Sequence, residues 1–146
     1  MMVKVPFLSV HLDDIALQAG QHDMVEFLEQ DGYAEMLEAV EGSYSVFKDG
    51  VLMGCGGLAS QGNGRALAWT LITAMCEGTD MIAVTKIVRD AIVNSKYRRI
   101  EAIVRGDFEA GHKWMRLLGF KLETEHGMAG WFNDGEKGYL YSRSPK

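Results

Sequence analysis

Residues 65–73, 81–93 and 99–105 form a strand–helix–strand run, and this run constrains the fold more than any other feature of the chain. The helical stretch carries Ile82, Thr85, Val88 and Ile92 on one stripe, broadened by Ala83, Val84, Ile87 and Ala91. A stripe this apolar requires a sheet to pack against. In 99–105, Ile100, Ala102 and Val104 fall on one face of a strand, and Glu101, Ile103 and Arg105 on the other. A crossover of this kind sets its two strands parallel in one sheet. The two prolines, Pro6 and Pro145, lie near the ends, so no interior segment is barred from regular structure.

The flanking segments supply the rest of the sheet. Tyr44–Phe47 and Val51–Gly54 flank Lys48-Asp49-Gly50, and the Asp-Gly pair gives the positive φ that a tight hairpin needs. Gln61-Gly62-Asn63-Gly64 is a second turn, so residues 44–73 are expected as a three-stranded antiparallel meander. Gly54-Cys55-Gly56-Gly57 lies inside this pattern and predicts a bulge or a close backbone approach. Upstream, residues 7–10 read as a short strand and 12–19 as a helix, followed by helical spacings at Met24, Phe27, Leu28 and at Met36, Leu37, Val40. Thr79 or Asp80 is the expected N-cap of the long helix. Downstream, 108–118 reads as a helix with Asp107 as N-cap and Gly119 just past its end. Residues 120–125 and 139–142 are expected as closing strands around an Asn133-Asp134-Gly135 turn. The expectation is one α/β (α+β) domain over residues 1–146, with a mixed central sheet of six to seven strands covered by helices on both faces.

Composition narrows the partners. A formal net charge of −5 and a pI of about 5.3 repel phosphate backbones, so nucleic acid is not an expected partner. Lys96, Arg98 and Arg99 read as a solvated helix end rather than a binding patch. No run is apolar enough for a bilayer, and the first ten residues lack a secretory pattern, which points to the cytoplasm. Cys55 and Cys76 read as apolar core thiols. His11, His22 and His126 show no ligand spacing, so no metal site is expected.

The most specific stretch is Val104 followed by Phe108-Glu109-Ala110-Gly111-His112-Lys113-Trp114-Met115-Arg116-Leu117-Leu118-Gly119-Phe120. Together with the element order, it resembles the fifth strand and fourth helix of the GCN5-related N-acetyltransferase (GNAT) superfamily, including the Leu-Gly-Phe that ends that helix. The Gly-rich, Met-rich texture also resembles small GNAT-like proteins of tailed phages. The resemblance covers residues 44–120 by motif and extends to both ends by topology.

The resemblance implies acetyl-CoA as cofactor and an amine as acceptor. In that family the cofactor lies between splayed fourth and fifth strands, its pantetheine pairs with the fourth strand's edge, and its diphosphate sits on the next helix N-terminus. Carried over, the cofactor-binding positions are Thr73, Met75, Gly78, Thr79, Met81, Ile82 and Ala83. Of the family's phosphate-loop pattern only Ala83 is kept; Gly78 and Met81 stand at the basic and glycine positions. Asp80 is expected to compete for the helix amides and, with Glu77, to repel phosphate. Met115 replaces the family's tyrosine acid, and Phe108 its asparagine. Glu101 then becomes the expected general base and His112 the replacement acid.

Two readings follow: a CoA-dependent N-acyltransferase, or a protein that keeps the fold without the chemistry, such as a virion or assembly component with a protein or self partner. A third, transfer from an acyl carrier lacking the CoA diphosphate, would tolerate the altered loop.

Overall fold

The computed structural model describes residues 1–13 and 15–145. Seven strands form one sheet: β1 (Met2–Pro6), β2 (Tyr44–Lys48), β3 (Val51–Gly62), β4 (Arg65–Ile72), β5 (Arg99–Arg105), β6 (Lys121–Leu122) and β7 (Gly138–Arg143). Their spatial order is β1-β2-β3-β4-β5-β7-β6. All neighbouring pairs are antiparallel except β4 with β5. Among the described residues, four α-helices accompany them: α1 (Val25–Leu28), α2 (Tyr33–Glu38), α3 (Thr79–Val93) and α4 (Glu109–Leu117).

The alternation of β5 sorts the core. Ile100, Ala102 and Val104 are buried on the face that α3 and α4 cover, where Val84, Val88, Ile92, Met115 and Leu118 meet them. Burying each such side chain contributes about 1.5–3 kcal/mol. Ile82, expected on the inner stripe, is instead 62% exposed, and Val84 is buried in its place. The opposite face carries a second core of Phe7, Leu12, Leu17, Leu37, Cys55 and Leu71 beneath the N-terminal third.

The meander forms as the turn residues predict, with Asp49 and Gly50 at φ 50° and 80° in the first turn. The glycines of β3 are places of close approach. A Cβ on Gly57 would lie 2.5 Å from the Trp69 indole nitrogen, and one on Gly56 would lie 3.2 Å from the Tyr44 hydroxyl.

The N-terminal third departs most from the periodicity. Its strand is Met2–Pro6 rather than 7–10, because β1 pairs along β2 from Met2↔Lys48 to Pro6↔Tyr44. Residues 9–12 make a 3₁₀ turn. The described residues of 12–19 form no α-helix; Leu17 instead bridges Thr73, and a second 3₁₀ turn covers Ala19–Met24. Tertiary backbone pairing outweighs a weak local period here. The closing strand expected at 120–125 shrinks to Lys121–Leu122, because Gly127 N–H bonds back to Thr124 O at 2.9 Å and turns the chain away.

Neither Thr79 nor Asp80 caps α3, and Asp107 does not cap α4. Gly78 is the N-cap of α3 at φ 60°, and Phe108 that of α4. Asp80 accepts a hydrogen bond from Lys48 Nζ at 2.7 Å, and Asp107 accepts one from Arg105 Nε at 2.7 Å. A carboxylate with a cation in reach makes a stronger charge-assisted bond than a lone helix amide provides.

A buried polar chain fixes the first 3₁₀ turn to the sheet. His11 Nδ1 accepts from Leu8 N–H at 3.1 Å and lies 2.7 Å from Ser45 Oγ, which is 3.4 Å from Cys55 Sγ. Since Nδ1 already accepts a backbone N–H, it carries no proton; Ser45 donates to it, and Cys55 donates to Ser45. Burial lowers the His11 pKa below 6.5, against an opposing pull from Glu38, and raises the Cys55 thiol to about 11. A histidine with a lowered folded pKa holds its stability above the unfolded pKa and loses it as pH falls. The thermal midpoint is therefore expected to drop as pH goes from 7 to 5. His11→Asn, which keeps an acceptor but cannot protonate, should flatten that slope; an unchanged slope would remove His11 from the account.

Candidate functional site

The site begins with what β4 and β5 fail to do. They pair at only three positions, Arg65↔Arg99, Ala66↔Ile100 and Leu67↔Glu101, although β4 has eight residues and β5 seven. Beyond Leu67 the strands part and leave a V-shaped gap. A cavity of about 150 Å³ occupies it, walled by Ala68 and Thr70 of β4, Ala102 and Val104 of β5, and Trp114 and Met115 of α4. Its walls are mainly apolar.

Where the strands part, the gap-side backbone of β4 needs other partners. Thr73 N–H points to β3, bonding Met53 O at 3.0 Å, so the even-numbered residues face the gap. The chain's own residues 16–21 satisfy those from Thr70 O to Ala74 N–H. Ala74 N–H donates to Ala16 O at 2.8 Å, and Gln18 N–H donates to Ile72 O at 3.0 Å. The Gln21 side chain completes the ladder: Nε2 donates to Thr70 O at 2.7 Å and Oε1 accepts from Ile72 N–H at 2.8 Å. One primary amide thus imitates a neighbouring strand. Phe108 seals the same region, because its ring fills the space where a Cβ on Gly20 or on Gly111 would stand.

At the N-terminus of α3, Asp80 N–H bonds Glu77 O at 3.2 Å and Met81 N–H bonds Gly78 O at 3.1 Å. The N–H groups of Gly78 and Thr79 have no acceptor among the described residues. Asp80, expected to compete for these amides, is turned to Lys48 and leaves them open.

The other carried-over positions are dispersed. Thr73 is buried, with its hydroxyl donating to Leu52 O at 3.0 Å, away from the gap. Met75 and Ile82 are exposed. Met81 packs on the core, and Ala83 is half-buried one turn into α3. Trp114 Nε1 donates to Thr85 Oγ1 at 2.8 Å, which donates to Met81 O at 2.7 Å, tying α4 to α3 across the gap.

Glu101 and His112 are not brought together. Glu101 sits at the closed end of the V, bound to Arg99 at 2.9 Å and facing Arg65 at 3.5 Å. Arg99 also holds Glu123 at 2.8 Å, which lowers the Glu123 pKa, and Ser142 donates to Glu123 as well. This cluster staples β4, β5 and the closing strands. His112 faces β7: it donates through Nε2 to Gly106 O at 3.1 Å, and its Nδ1 shares a hydrogen bond with the Tyr141 hydroxyl at 2.7 Å. Because a carbonyl only accepts, Nε2 carries a proton.

On the face opposite α3 and α4, the gap opens into a larger cleft of about 820 Å³. It lies between the N-terminal third and the loop after β6. Asp23 lines both this cleft and the smaller cavity. Neither Gln21 nor Asp23 stood out in the sequence; the available signal was the pair of glutamines around Gly20, where the apolar period stops.

No family model matches the sequence, and no curated protein matches it. Solved structures match the fold closely. An N-acetyltransferase from Staphylococcus aureus Mu50 superimposes with a TM-score of 0.72 at 14% identity, over 100% of this chain and 99% of that one. A GNAT superfamily phosphinothricin acetyltransferase from Sinorhizobium meliloti, solved with AcCoA, gives 0.72 at 13% identity over 98% and 88%. The ribosomal-protein-S18-alanine N-acetyltransferase from Escherichia coli gives 0.70 at 12% over 100% and 95%. At these identities the likeness is one of fold, and the chain has the GNAT fold.

The Glu101 geometry makes a prediction. Glu101→Gln removes both guanidinium contacts of a half-buried carboxylate and should lower the urea-unfolding free energy by about 1–2 kcal/mol. A variant as stable as the parent would show that the cluster staples nothing.

Proposed function

We propose that this protein is an acyl-CoA-dependent N-acyltransferase, transferring an acetyl group to an amine, whose cofactor track is covered by its own residues 16–21. The observation that carries the reading is the Asp80–Lys48 pair at 2.7 Å: it turns the one carboxylate in the first turn of α3 away from the open Gly78 and Thr79 amides. Open amides at a helix start suit a diphosphate. Lys48 adds a cation there that the sequence pattern lacked.

Acetyl-CoA would supply the activated thioester. Gly78 and Thr79 would hold its diphosphate, and Thr70 and Ile72 its amide arm, once Gln21 gives up their backbone groups. Direct attack of an amine demands mainly positioning, so the loss of a tyrosine acid at Met115 is tolerable. The attacking amine must first shed a proton. Asp23 borders both the gap and the cleft and suits that role better than Glu101, which two arginines hold at the closed end. His112 is proposed as a support for α4 on β7 rather than as an acid.

A second reading has its own support. Thr70 O and Ile72 on the β4 edge are already paired, the Phe108 ring stands against Gly20 and Gly111, and Met115 cannot donate a proton. A binding protein that keeps the fold, including a virion or assembly component of a phage, would have this appearance.

Calorimetry with acetyl-CoA separates them. Gln21→Ala removes two hydrogen bonds of about 1 kcal/mol each, so the variant should bind roughly tenfold or more tighter than the parent. Asp23→Asn should bind acetyl-CoA like the parent yet release free CoA about a hundredfold more slowly in the presence of amines. If neither the parent, Gln21→Ala nor Asp80→Gly binds, the non-catalytic reading stands.

A further inference from the structure

The cleft opposite α3 and α4 has a chemistry of its own. Its volume of about 820 Å³ falls in the range of small-molecule sites. Trp69, Trp131, Phe132, Phe27 and Tyr33 line it, so aromatic rings come from β4, from the N-terminal third and from the loop after β6. Trp131 packs against Gly138 and is still 50% exposed, which leaves a large apolar surface.

Charge fixes the sign of what fits. Asp23, Glu26 and Asp134 line the cleft against one guanidinium, Arg105. Arg105 is spent: it is bound by both Asp107 and Asp134 and lies over the Phe132 ring at 5.4 Å. Asp23 and Glu26 have no ion-pair partner among the described residues. A carboxylate-bearing cavity with aromatic walls attracts a cation with an apolar body, since ring faces and carboxylates both favour positive charge. An anion would meet uncompensated like charge.

We infer that this cleft binds an organic ammonium ion carrying an aryl or alkyl group, with Glu26 and Asp23 facing the charge and Trp131 and Trp69 facing the body. In the acyl-transfer reading this names the acceptor as a cationic arylalkyl or alkyl amine. The inference rests on that reading for the fate of the ligand, not for its binding.

Benzyltrimethylammonium tests the binding alone, because a quaternary nitrogen cannot be acylated. Calorimetry and tryptophan fluorescence on the full chain should show saturable binding that weakens as salt rises from 0.05 to 0.5 M. Glu26→Gln and Trp131→Ala, both at exposed positions, should each weaken it roughly tenfold while leaving the thermal midpoint unchanged. Equal or tighter binding of benzenesulfonate, no binding of the ammonium, or parent-like binding by both variants would overturn the inference. Benzylamine and acetyl-CoA are then supplied together. Ammonium binding without acetylation sinks acyl transfer and leaves the cleft assignment standing; acetylation without ammonium binding does the reverse.

Discussion

Everything distinctive in this molecule follows from a parallel register that stops after three pairs. Had β4 and β5 stayed paired to their ends, their facing backbone groups would have satisfied one another and closed the sheet. Because they part after Leu67, the gap-side edge of β4 is left with donors and acceptors that a buried backbone cannot leave unmet. The ion cluster of Arg65, Arg99, Glu101 and Glu123 holds the closed end, and the apolar cavity marks the open one. Two solutions exist for such an edge: a ligand with strand-like amides, or more chain. This protein carries the second in place, with Gln21 supplying from a side chain the donor–acceptor pair that a strand supplies from its backbone.

The sheet was largely legible in the sequence because its signals are local. Asp49-Gly50 and Gly62–Gly64 mark their turns by the φ they permit, and β5 shows its two faces in strict alternation. The α3–β5 crossover followed from the apolar stripe and chain connectivity. The N-terminal third was not legible, since its backbone partners lie far along the chain: Ala16 and Gln18 pair with Ala74 and Ile72. A window of neighbouring residues holds no information about an edge that forms elsewhere. The same limit hid the fate of Asp80. Read alone, an acid at a helix start is a cap; the lysine that claims it stands 32 residues earlier.

The candidate site divides similarly. The resemblance located the gap and the start of α3, while its residue-by-residue transfer scattered. Thr73 turns to β3, Met75 and Ile82 face solvent, Glu101 is held by Arg99 of its own strand and Arg65 of β4, and His112 by Tyr141 of β7. Side-chain roles depend on who stands opposite, and a motif carries only one side of that relation. Asp23, by contrast, has no motif around it and earns notice only where the two cavities meet.

The covering of β4 by residues 16–21 also sets an order of events during synthesis. Gln21 leaves the ribosome 49 residues before Thr70, the acceptor it will meet. Until then Leu12 and Leu17 have no core to enter, because Leu71 and Cys55, which complete that core, are also still to come. Residues 16–21 therefore wait, unpaired, while the meander closes behind them through short hairpins. Residues 16–21 dock onto an edge already built, so a segment made early folds after the strands it covers, and its contacts with β4 can be released without unmaking the sheet.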